Sequence, residues 1–216
     1  MKMKNLLLGI ALAAMAQVTF GQIAGTPHDM SGQTWNTGTT NKLCGTCHVP
    51  HNSMTIAQAP LWSHDTTTAA YTMYTNAVSS TFNATPGTRP DGNSKLCLSC
   101  HDGTVALNDF IGAQAPVSGT LGVEYPGTLT LVGTNLSNDH PISFTYDATL
   151  ATTDGGLYNP VTTLSGLTPA GHIDDDMLYG HKMQCASCHD AHNNTFTNFQ
   201  RMTNNSSELC LTCHNK

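Results

Sequence analysis

The sequence of 216 residues predicts a coil-dominated fold, with short helices and one small β-hairpin, built around a core that the polypeptide itself does not supply. Three observations predict it. The pattern Cys-x-x-Cys-His occurs four times, beginning at Cys44, Cys97, Cys185 and Cys210, and takes up all eight cysteines. Charged residues make up only 10% of the chain, and Thr, Asn, Ser and Gly fill most of the space between the motifs. A chain of this polarity buries little apolar surface of its own, so it stays loose or wraps something apolar brought from outside. Helix signals are weak beyond one to two turns at each motif. Turn clusters recur instead, at Pro86, Gly87, Pro90, Asp91 and Gly92 and again at Asp154, Gly155 and Gly156.

Lys2 and Lys4 precede an apolar run from Leu6 to Ala16, and small residues follow, with cleavage expected between Gly21 and Gln22. This reads as a secretory signal peptide over residues 1–21. The run is shorter than the ~20 apolar residues of a spanning helix, so no membrane span is expected in the mature chain. The mature chain keeps six basic against fourteen acidic side chains, a net charge of about −8. That balance argues against a nucleic-acid or anionic-membrane partner.

Residues 22–216 read as a single domain holding a duplication. The first and third motifs carry a trailing histidine and asparagine ("CGTCHVPHN" and "CASCHDAHN"), whereas the second and fourth stop short. Leading cysteines stand 53 residues apart in the first pair and 25 in the second. Two units, about 22–110 and 181–216, are therefore expected, joined by a loop and strand segment over 103–180. Within that segment "TLTLV" (Thr128–Val132) and "ISFTY" (Ile142–Tyr146) alternate and predict the hairpin.

Residues at i, i+3 and i+4 of one helical turn share a face. Two thiols there can form thioethers with the two vinyl groups of a porphyrin while the adjacent imidazole reaches its iron, so the pattern is the attachment signal of haem c. Zinc sites also use paired cysteines, but they do not require a histidine directly after the second cysteine in every copy. The expected haem-binding residues are Cys44, Cys47, His48, Cys97, Cys100, His101, Cys185, Cys188, His189, Cys210, Cys213 and His214, with the four histidines as proximal ligands of four covalent haems. Seven histidines remain. His28, His51, His140 and His192 are favoured as distal iron ligands, His64 after Trp62 is the next candidate, and His172 and His181 follow. Met54, Met73, Met177 and Met183 are the alternative sixth ligands.

The trailing histidines are informative by position. His51 lies three residues past His48 and starts on the proximal side of its own haem, so it should ligate a different haem packed alongside. The same holds for His192 after His189.

The stretches "CGTCHVPHNS", "PLWSH", "SKLCLSCHDGTVA", "SNDHPISF", "CASCHDAHN" and "ELCLTCHNK" together resemble the doubled-CxxCH multihaem cytochromes c of metal-reducing and related bacteria. They resemble in particular the tetrahaem members that polymerise into extracellular nanowires, and the likeness runs from about His28 to Lys216. The resemblance implies bis-histidine iron, a row of haems along the subunit and little regular secondary structure. It also implies that His51 completes the terminal haem of an adjacent copy. One departure is that Asp190 and Ala191 precede His192, where the family usually has a proline before that histidine.

The expected function is electron transfer along four bis-histidine haems, with copies of the chain joined head to tail in an extracellular or cell-surface filament and redox proteins or extracellular acceptors as partners. The alternative is a soluble periplasmic tetrahaem shuttle. A multihaem reductase fits less well, because all four motifs end in histidine and none marks an open catalytic iron, so no enzymatic activity is expected. Asp174, Asp175 and Asp176 suggest either a calcium site or a solvated loop.

Overall fold

The computed structural model describes residues 22–36, 43–111 and 131–215; the expected signal peptide and residues 128–130 of the expected hairpin lie outside them. Regular elements are short and separated by long turns. In order they are β1 (Met54–Ile56), β2 (Ala59–Trp62), α1 (Gly92–His101), β3 (Phe144–Thr145), α2 (Ala148–Asp154), α3 (Ile173–Asp176), β4 (Lys182–Met183), α4 (Cys185–Cys188) and α5 (Glu208–Leu211). Single turns of 3-10 helix at Thr197–Phe199 and Asn205–Ser207 lie between α4 and α5.

The expected hairpin does not form as read. Phe144 and Thr145 pair antiparallel with Met183 and Lys182, the residues leading into the third motif, and not with the segment ending at Val132. Leu131 and Val132 lie in no strand. The Val132 and Gly133 amides instead donate to the His101 carbonyl at 2.8 and 3.4 Å, so this stretch satisfies an acceptor that the end of α1 leaves open. A hairpin does exist elsewhere. β1 and β2 pair with Met54 opposite Trp62 and Ile56 opposite Ala59, around a two-residue loop in which Gln58 takes a positive φ of 63°.

The helix α2 shows how local chemistry sets an element. The Asp147 carboxylate accepts from the Leu150 N–H at 2.8 Å, and Gly155 closes the other end at φ 70° with its N–H on the Ala151 carbonyl. A carboxylate at the start and a left-handed glycine past the end are the two residues a short helix needs there.

The segment between the motif pairs is more than a linker. Phe144, Tyr146, Ala151, Ile173, Met177 and Leu178 form one buried cluster with Met183, Leu209 and Cys213, so it supplies most of the apolar support for the third and fourth motifs. The Tyr146 hydroxyl donates to the Tyr158 carbonyl at 2.6 Å from inside this cluster. A smaller cluster of Met73, Leu98 and Leu136 packs on α1. Among the described residues no helix is long and apolar enough to cross a membrane.

Ile173 is fully buried, at 0% exposure. Ile173→Ala should therefore lower unfolding stability by about 2–5 kcal/mol in a denaturant titration. Val161→Ala, at a site 49% exposed, should change it by less than about 0.5 kcal/mol.

Candidate functional site

Each motif closes on itself through its backbone. The histidine N–H donates to the carbonyl of the first cysteine at 2.8 Å in the first motif, 3.1 Å in the third and 3.0 Å in the fourth, and the second motif lies wholly within α1. This one bond brings both thiols and the imidazole to a common face. In the first motif it forms an isolated turn and not a helix, because Pro50 holds Val49 extended and the chain bridges at once to Trp62 in β2.

The motifs meet in sequence order. Cys47 lies near enough to Cys100 for its thiol to feel that charge, the Cys97 thiol is hydrogen bonded to Cys185, and Cys188 neighbours Cys210 and Cys213. Cys44 and Cys210, at the two ends of the series, are exposed, and none of the eight cysteines is in a disulfide. Burial pushes Cys47, Cys100 and Cys213 up to about 12 and Cys188 to about 11. Across the central contact, the hydrogen bond raises Cys97 and lowers Cys185, as expected when one thiol donates to the other.

All eleven histidines fall among the described residues. Three motif histidines each stand across from a second imidazole. The ring centres of His48 and His192 are 6.0 Å apart with planes at 16°, those of His28 and His101 are 6.2 Å apart at 69°, and those of His140 and His214 are 6.4 Å apart at 79°. A first-row metal held by two opposed imidazoles at about 2.0–2.1 Å from each nitrogen separates the ring centres by about 6.3 Å. These gaps have room for an iron.

The outer nitrogens are held as metal ligands usually are, by a carbonyl on Nδ1 that leaves Nε2 outward. His140 Nδ1 lies 2.9 Å from the Pro141 carbonyl oxygen, and His189 Nδ1 lies 2.9 Å from that of Asn198. His28 stacks on Phe199 at 4.3 Å, and its Nδ1 is 3.5 Å from the Ala191 carbonyl oxygen. Burial, followed by the positive fields of His101, His192 and His189, holds His28 below the ordinary imidazole range against the opposing pull of that carbonyl.

His192 follows His189 by three residues yet faces His48, so it ties the third motif to the first. Opposite His189 no such ring stands among the described residues. His51 is exposed, and its side chain makes no hydrogen bond or ring contact among them.

The other candidates sit differently. His64 is completely buried beside the bridge to Phe110, with Nδ1 2.8 Å from the Asp65 carbonyl oxygen and Nε2 without a hydrogen-bond partner, and it is not opposite any motif histidine. His172 and His181 are bound by the acidic run: His172 Nδ1 is 3.1 Å from Asp175, and His181 Nδ1 is 2.9 Å from Asp174. Asp176 accepts from the Ser165 and Thr168 hydroxyls. Local donors thus use these carboxylates, and among the described residues no group of three or more potential ligands is placed for a metal ion. Met73, Met177 and Met183 are packed in the two apolar clusters.

Large apolar side chains are exposed at the motif edges. Leu61 accepts from the Val49 amide beside the first motif, Leu131 and Val132 flank His101, the Tyr158 amide donates to Cys213, and Leu211 lies inside the fourth motif. Trp62, whose ring meets His48 edge-on at 6.1 Å, and Phe199 under His28 belong to the same surroundings. Trp62 was legible beside a motif; Phe199 was not, because it reaches His28 only through the fold.

Residues 180–216 match the family model of the doubled CXXCH motif. The match covers the third and fourth motifs. A doubled CXXCH motif is the kind that multihaem c-type cytochromes carry, and it supports covalently bound haem c and electron transfer. No curated protein matches the chain.

Two measurements check these placements. Replacing Cys185 and Cys188 together by Ser should lower the intact mass of the haem-loaded chain by one haem. Buried His64 takes no proton where an unfolded histidine does, since burial holds it below its ordinary value of 6.5, so the stability it contributes above that pH is lost on acidification. His64→Gln should flatten the loss of stability between about pH 7 and 5 while leaving the low-spin haem spectrum intact. A new high-spin signal would instead make His64 an iron ligand.

Proposed function

We propose that the chain is an electron conduit holding four haems, one per motif, each iron between two imidazoles, and that copies join head to tail in an extracellular filament. The observation that carries this reading is the set of three imidazole pairs at 6.0–6.4 Å, together with one motif histidine, His189, that has no ring opposite it among the described residues. His48 with His192, His101 with His28 and His214 with His140 would each hold an iron between them. The haem at Cys185 and Cys188 takes its second imidazole from the exposed His51 of another copy. On this reading His51 serves the third-motif haem of the neighbour and not its terminal one.

Haem supplies the redox centre, and iron with both axial positions filled by imidazole exchanges an electron with little change in ligation. The protein supplies spacing and orientation. The motifs follow one another as direct neighbours, the imidazoles saturate the irons, and the apolar edges keep water from the porphyrin faces. Saturated iron leaves no position for a substrate, which supports a carrier and not an enzyme. A donor at one end of a subunit and an acceptor site elsewhere form a heterologous contact, which repeats without closing and builds a filament. The leader-like residues 1–21 support export.

The soluble shuttle differs in one respect, since there His51 would have to reach an iron of its own chain. His51→Ala separates the two. In the filament reading the variant keeps all its haem, opens one iron in four to carbon monoxide and yields no filaments in electron micrographs of the haem-staining extracellular fraction. Unchanged assembly with no carbon monoxide binding would reject the role of His51 in trans. For the wild type, carbon monoxide should leave the reduced spectrum unchanged, and substantial binding would favour an enzyme.

A further inference from the structure

The second and third motifs are joined by a buried polar seam that contributes nothing to the haem sites themselves. Gln184, directly before Cys185, is 1% exposed, and Ser94, one turn before Cys97, is 0% exposed. The Gln184 Oε1 accepts from the Ser94 N–H at 3.2 Å and the Ser143 hydroxyl at 3.3 Å, while its Nε2 donates to Asp91 Oδ1 at 2.8 Å. In return the Ser94 hydroxyl accepts from the Cys185 N–H at 2.9 Å. The other oxygen of Asp91 pairs with the Lys182 ammonium, and the Asp91 N–H donates to the Ser143 hydroxyl at 3.1 Å. The seam thus ties the backbone of Cys185 to the turn that leads into Cys97.

An apolar contact between α1 and α4 would fill the same space and could slide. Directional bonds with every partner present cannot slide without leaving buried polar groups unpaired. Gly92, at φ 47°, lets the backbone of α1 come close, for a Cβ there would lie 3.2 Å from Gln184 Nε2. Bonds run in both directions between the two helices, so their register is set on both sides.

We propose that Gln184, Asp91 and Ser94 are positioning residues for electron passage between the second and third haems, holding α1 against α4 so that the cysteine-bonded edges of the two porphyrins stay in contact. This rests on the reading that both motifs carry haem. The step transfers one electron from ferrous to ferric iron, with no bond made or broken and no proton moved. Because electron transfer weakens steeply with separation, a small slip at the seam slows it without removing a cofactor.

The test uses the exported, haem-loaded full chain. Mass spectrometry first counts haem: fewer than four in the wild type would overturn the tetrahaem reading itself, apart from any role of the seam. In Gln184→Ala, four haems should remain, the bisignate Soret circular dichroism of neighbouring haems should shrink, and electron equilibration after pulse reduction should slow several-fold. Asp91→Asn, which keeps an oxygen facing Gln184 Nε2 but loses the acceptor for Lys182, should reduce both signals less than Gln184→Ala does. Asp147→Ala, which removes the cap of α2 and no bond of the seam, controls for loss of stability and should leave both signals unchanged. Unaltered Soret dichroism and kinetics in a fully loaded Gln184→Ala would overturn the proposal, as would equal changes in Asp147→Ala. If Gln184→Ala does not accumulate, Ser94→Ala removes the single bond to the Cys185 N–H and decides by the same two signals.

Discussion

The bond from each motif histidine N–H to the carbonyl of its first cysteine is the constraint on which the rest of the structure depends. It closes one turn, with the bond at 2.8–3.1 Å in the first, third and fourth motifs, and so places two thiols and an imidazole on one face. The polypeptide around these turns is polar and poor in long helices, and its own apolar clusters are modest. Four such faces, arranged as neighbours, give a cofactor row somewhere to attach. The remaining chain acts to hold the faces at fixed separations and to bring second imidazoles opposite them.

The chain divides this work between two kinds of contact. Apolar packing by the segment from Phe144 to Leu178 supports the third and fourth motifs from behind. Polar contact, through Gln184, Asp91 and Ser94, fixes the second motif to the third where the thiols meet. Apolar packing supplies most of the stability but tolerates shifts, whereas satisfied buried hydrogen bonds specify one register. A row of redox centres needs both.

Histidine supply follows the same economy. His192 stands three residues after its own motif and faces another one, and His28 and His140 come from distant loops to do the same for His101 and His214. The two histidines nearest the acidic run are bound by it, through Asp174 and Asp175. His64 is enclosed in the fold away from the motif faces. These three histidines are thereby accounted for by carboxylate pairing and by burial.

The four Cys-x-x-Cys-His units, the haem chemistry they carry and the coil-dominated character were legible in the sequence, because each depends on residues within one or two turns of each other. The pairing of Ile142–Tyr146 was not. Alternation marks a strand but says nothing about its partner, and here β4 took the place that Thr128–Val132 was expected to fill. Local pattern also left His64, His172 and His181 as open candidates, since a carboxylate seven residues away or a burying loop is invisible to spacing. Which distant imidazole faces which motif, and which helix lies against which thiol, were decided only by tertiary structure, because those contacts join residues separated by tens of positions and depend on how buried donors and acceptors find one another.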